Sequence, residues 1–224
     1  MDARPIVSTT SALLDETNLS GGPLVAAGAI VANFGGDGVG GFAGNDTFAA
    51  SCDLTGGVLS SGGVPVVVTF DAGTNTYTGT AGGATVFTMV IDIETGDYTY
   101  TQFEPFDHAD TTNDNEPICL DFGVAVSDGD GDITNTNVQI KVLDDAPIVY
   151  SQIDSVVDET NLSGGPLVVN GTFIADAGQD VPAVYAGTNT FNATGSVDNG
   201  ALTSGGVPVV VTFDAGTNTY TGTA

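Results

Sequence analysis

Positive charge is almost missing from this sequence. Arg4, Lys141 and a single histidine, His108, stand against 28 Asp and Glu residues, which gives a formal net charge of −26. Such a surface repels nucleic acid and anionic membranes, and a compact chain that carries it repels itself. We therefore expect no nucleic-acid partner, and we expect divalent cations to offset the repulsion. An acidic surface that serves solubility alone is the alternative.

Long apolar runs and catalytic groupings are missing too. Gly, Thr or Asp interrupts every apolar run, so no segment is long enough to span a bilayer and we expect no membrane insertion. The first residues, MDARP, lack the character of a signal peptide. There is one His, and no Ser–His or Cys–His pair stands at a suggestive spacing, so the sequence predicts a protein that is not an enzyme.

Helix signals are scarce, whereas strand and turn formers are abundant. Two hairpins are predicted where apolar runs flank a short polar loop, and alternating apolar residues predict further strands. Regularly spaced short strands indicate an all-β fold of tandem immunoglobulin-like antiparallel β-sandwich domains. The predicted hairpins cover 64–70 with 76–80 and 87–93 with 98–103, and the other strands lie within 5–14, 28–34, 47–53, 120–126 and 138–142.

What the sequence does contain is repetition. Residues 61–81 recur without change as 204–224, and 15–24 recur as 158–167, in both cases 143 residues further on. This period is the size of a domain and too long for one solenoid repeat. We therefore expect a complete β-sandwich repeat over 1–144 and the N-terminal part of a second, truncated repeat over 145–224. Neighbouring repeats of the same chain are the expected partners.

The two cysteines, Cys52 and Cys119, can form one disulfide in an oxidising compartment. The second copy has Gly195 where the first has Cys52, so a bridge is not part of the basic plan of the repeat. The sequence therefore favours two free thiols over a bridge.

Acidic residues are concentrated in one part of the chain, since nine of the 28 fall within 104–132. The segment 127–133, SDGDGDI, places Asp128, Asp130 and Asp132 at alternate positions, and the glycines between them permit a tight turn. Three such carboxylates can converge on Ca²⁺, which takes roughly six to eight oxygen ligands. A solvated acidic turn is the alternative.

A second acidic cluster lies at 107–117, where Asp110 and Asp114 stand among other Asx residues. Such a loop suits Ca²⁺, and it equally suits a polar loop built from Asx turns. His108 has no second His or thiolate at ligand spacing, which argues against a zinc site.

Acids also flank the boundary between the two copies. Asp144 and Asp145 end the first copy, and Asp158 and Glu159 lie early in the second. Carboxylates on both sides of a linker can share ions and stiffen the joint. Pro147 cannot donate to a strand ladder and suits a short, stiff crossing between domains.

Three segments within 98–147 carry a family resemblance. YTYTQFEPFDHAD, LDFGVAVSDGDGD and VQIKVLDDAP resemble the repeats of giant bacterial adhesins of the repeats-in-toxin (RTX) class, which are secreted by type I systems, and the 143-residue period fits them. The Asp-rich turn and the acidic linker that ends in Pro are similar, more loosely, to cadherin-like and VCBS-like repeats. The resemblance implies Ca²⁺ ligands at Asp128, Asp130, Asp132, Asp144 and Asp145, then at Asp158 and Glu159 with their first-copy equivalents Asp15 and Glu16.

The resemblance also implies a function. It points to a non-enzymatic extracellular stalk on the bacterial cell surface, in which Ca²⁺-rigidified repeats project a distal binding module for attachment or biofilm formation. Calcium is scarce inside cells and abundant outside, so the chain would stay unfolded for export and stiffen afterwards. Two alternatives stay open: a self-assembling filament subunit that pairs strands with other copies of the chain, and a module that binds a glycan or a surface directly.

Overall fold

The computed structural model describes residues 4–109, 115–145, 148–151, 155–176, 185–195 and 200–224. The chain divides by compactness into two units, Met1–Val181 and Pro182–Ala224, whereas the predicted division at residue 144 separates copies of the sequence. The predicted all-β fold is confirmed. The described residues contain strands and three short 3₁₀ helices, Glu16–Gly21, Thr55–Gly57 and Glu159–Gly164.

A six-stranded antiparallel sheet forms one layer of the sandwich in the first unit. Both predicted hairpins belong to it, and each has its expected pairing. The strands in spatial order are Ile6–Thr9 (β1), Leu24–Asn33 (β3), Asp97–Gln102 (β10), Ala84–Ile91 (β9), Thr76–Ala81 (β8) and Val67–Asp71 (β7). A short ladder of Ser60–Ser61 (β5) with Val64–Pro65 (β6) precedes β7.

A four-stranded sheet forms the second layer. Its strands in spatial order are Ala12–Asp15 (β2), Ile133–Leu143 (β12), Ile118–Asp128 (β11) and Val39–Cys52 (β4). The pairs β12–β11 and β11–β4 are antiparallel, whereas β2 runs parallel to β12 at the edge.

The N-terminal run differs from the single strand that the sequence predicts over 5–14. It is split between the layers, with β1 in the six-stranded sheet and β2 in the four-stranded one. Contacts at Thr10 hold this crossing in place. The Tyr98 hydroxyl donates to the Thr10 carbonyl oxygen at 2.9 Å, and the Ala29 N–H donates to Thr10 Oγ1 at 3.2 Å.

The core lies between the two layers and is rich in aromatic rings. Phe122 of β11 packs against Tyr77, Phe87 and Tyr100 of the opposite sheet, with ring centroids 5.5–6.0 Å apart. All four residues are at most 1% exposed. Burial of this apolar area is the main stabilising contribution to the sandwich. The alternation that predicted β11 therefore identifies its core-facing side chains.

The remaining strands belong to the second copy of the sequence. Ile148–Ser151 (β13) pairs with Ile174–Asp176 (β14) in the first unit. In the second unit, Thr203–Ser204 (β15) pairs with Val207–Pro208 (β16), and Val210–Asp214 (β17) pairs with Thr219–Thr223 (β18). The register of β17–β18 reproduces that of β7–β8 residue for residue.

Candidate functional site

The predicted acidic turn begins where β11 ends. Asp128 is the last residue of that strand and is 3% exposed, whereas Asp130 is exposed and Asp132 half-buried. One carboxylate oxygen from each of the three lies within 4.8 Å of the others. Asp128 Oδ1 accepts the N–H groups of Gly131 and Asp132 at 3.1 and 2.8 Å, which closes the turn. The structure therefore brings together the three carboxylates that the sequence pattern grouped.

The second oxygen of Asp128 has a different environment. Oδ2 is buried and has no hydrogen-bond partner among the described residues. A buried carboxylate oxygen without a donor is costly, because it loses its hydration. A hard cation held jointly with Asp130 and Asp132 would supply the interaction that this oxygen lacks.

The neighbouring strand fixes the position of the acidic turn. The Gly129 N–H donates to the Gly38 carbonyl oxygen at 3.0 Å, and Asp128 pairs with Val39 at the start of β4. Gly40 leaves no room for a side chain, since a Cβ there would lie 2.2 Å from the backbone oxygen of Asp128. The turn is therefore packed against the backbone of residues 38–40.

A second group of potential ligands lies elsewhere in the sandwich and joins Glu16, His108 and Asp144. One ligand atom from each lies within 4.8 Å of the others. Glu16 is fully buried and His108 is 8% exposed. Glu16 Oε2 lies 3.7 Å from His108 Nε2, and Asp53 Oδ2 lies 3.3 Å from His108 Nδ1.

Three chain segments position this group. The parallel pairing of β2 with β12 places Asp15 opposite Leu143, so the next residues along, Glu16 and Asp144, are neighbours. An isolated β-bridge between Leu54 and His108 brings the imidazole beside them. The group therefore combines residues from the start, the middle and the end of the first repeat.

The first carboxylate oxygen of Glu16 is held by the protein. Oε1 accepts the side-chain amide of Gln102 and, at 3.0 Å, the backbone N–H of Phe106. The pKa of the nearby Tyr100 hydroxyl is well above its ordinary value, because burial disfavours the phenolate and the negative charge of Glu16 adds to this effect. The two hydrogen bonds hold the buried Glu16 side chain in a fixed position.

Among the residues that the structure describes, the other predicted ligands are not part of either group. Asp15 and Asp158 cap the equivalent 3₁₀ helices, where each side chain accepts an N–H, from Thr17 at 3.0 Å and from Thr160 at 2.9 Å. The bonds to Thr160 lower the pKa of Asp158. Asp144 lies in a group with Glu16 and His108, and the sharing of ions across the linker stays a prediction. Of the rest, Asp145 is buried beside Asp144, Glu159 is exposed, and Asp110 and Asp114 lie outside the described residues.

The expectation of two free thiols is wrong. Cys52 at the end of β4 and Cys119 in β11 form a disulfide, with a Cα–Cα distance of 5.5 Å. The strand register places the two cysteines at adjacent positions, because Ile118 pairs with Cys52 and Cys119 with Ser51. Regular alternation would direct their side chains to opposite faces, but Cys52 ends the strand with a positive φ of 73°, which departs from that alternation. Gly195 in place of a cysteine in the second copy therefore does not predict whether Cys52 and Cys119 are bridged in the first.

Sequence reasoning also missed the role of Asp53 and His108. No short motif joins these two residues to Glu16 and Asp144, because they are brought together only by strand pairing. The one available signal was that an almost uniformly acidic chain keeps a single histidine.

Comparison with known proteins gives one result. A family model described as a domain of unknown function (DUF5801) matches residues 11–141, which is more than half of the chain. No curated protein and no solved structure matches. Across the part of the chain that the structure describes, no helix has the length and apolar character needed to cross a membrane.

Proposed function

The chain belongs to the DUF5801 family of domains of unknown function, and we propose that it is a non-enzymatic extracellular structural repeat of a bacterial surface adhesin. In this proposal Ca²⁺ rigidifies the β-sandwich, and tandem copies form a stalk that projects a distal binding module. The filament subunit and the glycan-binding module stay alternative predictions.

The observation that carries the proposal is the buried Asp128 in a cluster with Asp130 and Asp132. Its Oδ1 closes the turn and its Oδ2 has no hydrogen-bond partner among the described residues, so one face of the carboxylate is directed to the protein and the other is available to a cation. Oxygen-only ligands at the end of a strand suit a hard ion such as Ca²⁺.

Three further features support an extracellular spacer. The exact recurrence of 61–81 as 204–224 is typical of arrays whose units are used repeatedly for the same structural purpose. The disulfide between Cys52 and Cys119 favours an oxidising compartment. The net charge of −26 makes compaction dependent on cations, which calcium supplies outside the cell.

Thermal unfolding in calcium and in a calcium-selective chelator tests the proposal. Binding of one ion stabilises the folded state by about 2.7 kcal/mol when its concentration is about 100 times Kd. We expect a clear rise in Tm for the wild-type chain and loss of most of that rise in Asp128→Asn.

Asp71→Asn is the matched control. Asp71 also ends a strand and accepts a turn N–H, from Gly73 at 2.8 Å, but it does not belong to a carboxylate cluster found among the described residues. Its variant should keep the full response to calcium. If calcium leaves the wild-type melting curve unchanged, the proposal fails.

A further inference from the structure

We propose that Glu16, His108 and Asp144 form a second metal site, which binds a first-row transition metal ion of the Zn²⁺ type and not Ca²⁺. This site is independent of the acidic turn at Asp128 and differs from it in ligand chemistry. It would join the start, the middle and the end of the first repeat through one ion.

His108 is buried, and its ring makes no hydrogen bond to the described residues. Its side chain is 1% exposed, and neither ring nitrogen has a hydrogen-bond partner among the described residues. Burial of two polar nitrogens without hydrogen bonds is unfavourable. Coordination of a metal by one nitrogen, with a carboxylate accepting the proton of the other, satisfies both.

Carboxylates flank both nitrogens of the imidazole. Nε2 lies 3.7 Å from Glu16 Oε2, close to the roughly 3.4 Å that separates ligand atoms in a tetrahedral site with metal–ligand bonds of about 2.1 Å. On the other side, Nδ1 lies 3.3 Å from Asp53 Oδ2. A carboxylate behind a ligating histidine fixes its tautomer and raises its basicity. Asp53 is thus a positioning residue.

Hydrogen bonds from the protein hold the two carboxylate ligands in place. Gln102 and the Phe106 N–H hold Glu16 Oε1, which leaves Oε2 directed to the imidazole. Asp144 Oδ1 accepts the N–H of Asp145 at 2.9 Å. Ligands held in this way need little rearrangement to bind an ion, so the entropic cost of binding is small.

Ligand chemistry decides between ions. Ca²⁺ is bound by oxygen ligands, whereas imidazole nitrogen suits Zn²⁺ and its first-row neighbours. One nitrogen and two carboxylates give three protein ligands, and a tetrahedral ion then takes water as the fourth.

The test uses the complete chain in saturating calcium, with Zn²⁺ as the probe. Because His108 is the sole histidine, its imidazole resonances in NMR spectra can be assigned without a variant. We expect one equivalent of Zn²⁺ to shift them and calcium alone to leave them in place. The proposal is overturned if Zn²⁺ does not move these resonances, or if calcium moves them and blocks Zn²⁺.

Calorimetric titration of two variants provides the matched comparison. Glu16→Gln should weaken Zn²⁺ binding more than about 100-fold, since loss of a ligand exceeds the roughly 10–100-fold cost of losing an outer-shell partner. Glu159 is the equivalent of Glu16 in the repeated segment 158–167, where it is exposed. Glu159→Gln should therefore leave the affinity for Zn²⁺ unchanged. Equal affinity in both variants would indicate adventitious binding and overturn the proposal. Asp128→Asn should retain the Zn²⁺ response, which separates this site from the calcium site.

Discussion

Buried acidic residues distinguish this protein at the scale of single residues. Among the described residues, Glu16, Asp53, Asp128 and Asp145 are each at most 9% exposed, while His108 is the one basic side chain that is comparably buried. Burial of an anion is expensive unless cations or hydrogen bonds compensate for its lost hydration. The chain has one Lys and one Arg, so few cationic side chains are available for that compensation.

Asp92 illustrates a carboxylate that is stabilised by the backbone alone. It lies in the turn between β9 and β10, and its Oδ1 accepts the N–H groups of Glu94 and Thr95 at 2.8 and 2.9 Å. The bond from Thr95, followed by that from Glu94, lowers the pKa of Asp92 from its ordinary value of 3.8. A folded-state pKa below the unfolded one means that this group stabilises the fold above the unfolded pKa, and that its contribution disappears as pH falls through the folded pKa.

We therefore expect Asp92→Ala to lower the free energy of unfolding near neutral pH by a small amount. The difference from the wild-type chain should begin to shrink as pH falls below 3.8, where Asp92 becomes protonated in the unfolded state, and should disappear below the lower folded-state pKa, where it is protonated in both states. Urea titrations between neutral and acidic pH measure it. Glu94→Ala removes an acid from the same turn without removing the acceptor and should not show this pH dependence. If the difference in unfolding free energy between Asp92→Ala and the wild-type chain does not change with pH, the lowered pKa of Asp92 is contradicted.

The grouping of candidate ligands could be predicted where they are close in the chain and could not where they are distant. Asp128, Asp130 and Asp132 alternate within one turn, so their convergence follows from local geometry. Glu16 and His108 are separated by about two thirds of the repeat, and their approach depends on the pairing of β2 with β12 and on the bridge at Leu54. Neither pairing has a local signature.

At the scale of elements, the hairpins β7–β8 and β17–β18 have the same sequence in different surroundings. Comparing them distinguishes what the hairpin sequence determines from what the rest of the fold determines. Phe70 and Tyr77 stack at 4.6 Å between ring centroids in the first copy, and Phe213 and Tyr220 at 4.7 Å in the second, both at an interplanar angle of 38°. The side chain environments differ, since Tyr77 is 1% exposed and Tyr220 is 40% exposed. The hairpin is therefore a property of its own sequence, while its burial depends on the strands that cover it.

The contact of β4 with the acidic turn provides a test at this scale. Gly40→Ala would place a Cβ 2.2 and 2.5 Å from the backbone oxygens of Asp128 and Ser127, and backbone cannot move aside as a flexible side chain can. We expect a loss of stability of about 1–3 kcal/mol, the usual cost of overpacking. We also expect a smaller rise of Tm with calcium, because the turn shifts.

Gly36→Ala is the control for this variant. An added Cβ at Gly36 meets no atom within 4 Å, so the change should be nearly neutral in urea unfolding and should leave the calcium response intact. Equal behaviour of the two variants would mean that the strand does not hold the turn in place.

At the scale of the whole molecule, the disulfide connects β4 and β11, which are adjacent in the four-stranded sheet and distant in the sequence. Cys52 and Cys119 are 67 residues apart, and a loop of this length restricts the unfolded chain strongly. The loop-entropy model gives a contribution of about 4 kcal/mol. We expect reduction, or the double substitution by Ala, to lower the denaturant midpoint by a corresponding amount without changing the fold. An unchanged midpoint would show that the bridge does not stabilise the sandwich.

The class of fold could be predicted from the sequence, and its topology could not. Alternation and turn residues gave the hairpins β7–β8 and β9–β10, because each involves neighbours in the chain. The splitting of the N-terminal run between two sheets depends on Tyr98, which lies 88 residues from its partner Thr10. Pairing at that distance is determined by the packed core and has no periodicity in the sequence.

The parallel pairing of β2 with β12 has a mechanical consequence. These are the strands by which the chain enters and leaves the four-stranded sheet, and four consecutive residue pairs, from Ala12 with Ile140 to Asp15 with Leu143, join them. Because the strands point the same way, a pull on the two ends of the repeat slides one along the other. The bonds between them are then loaded together in shear instead of opening one after another, and it is this geometry that lets a short edge strand withstand tension.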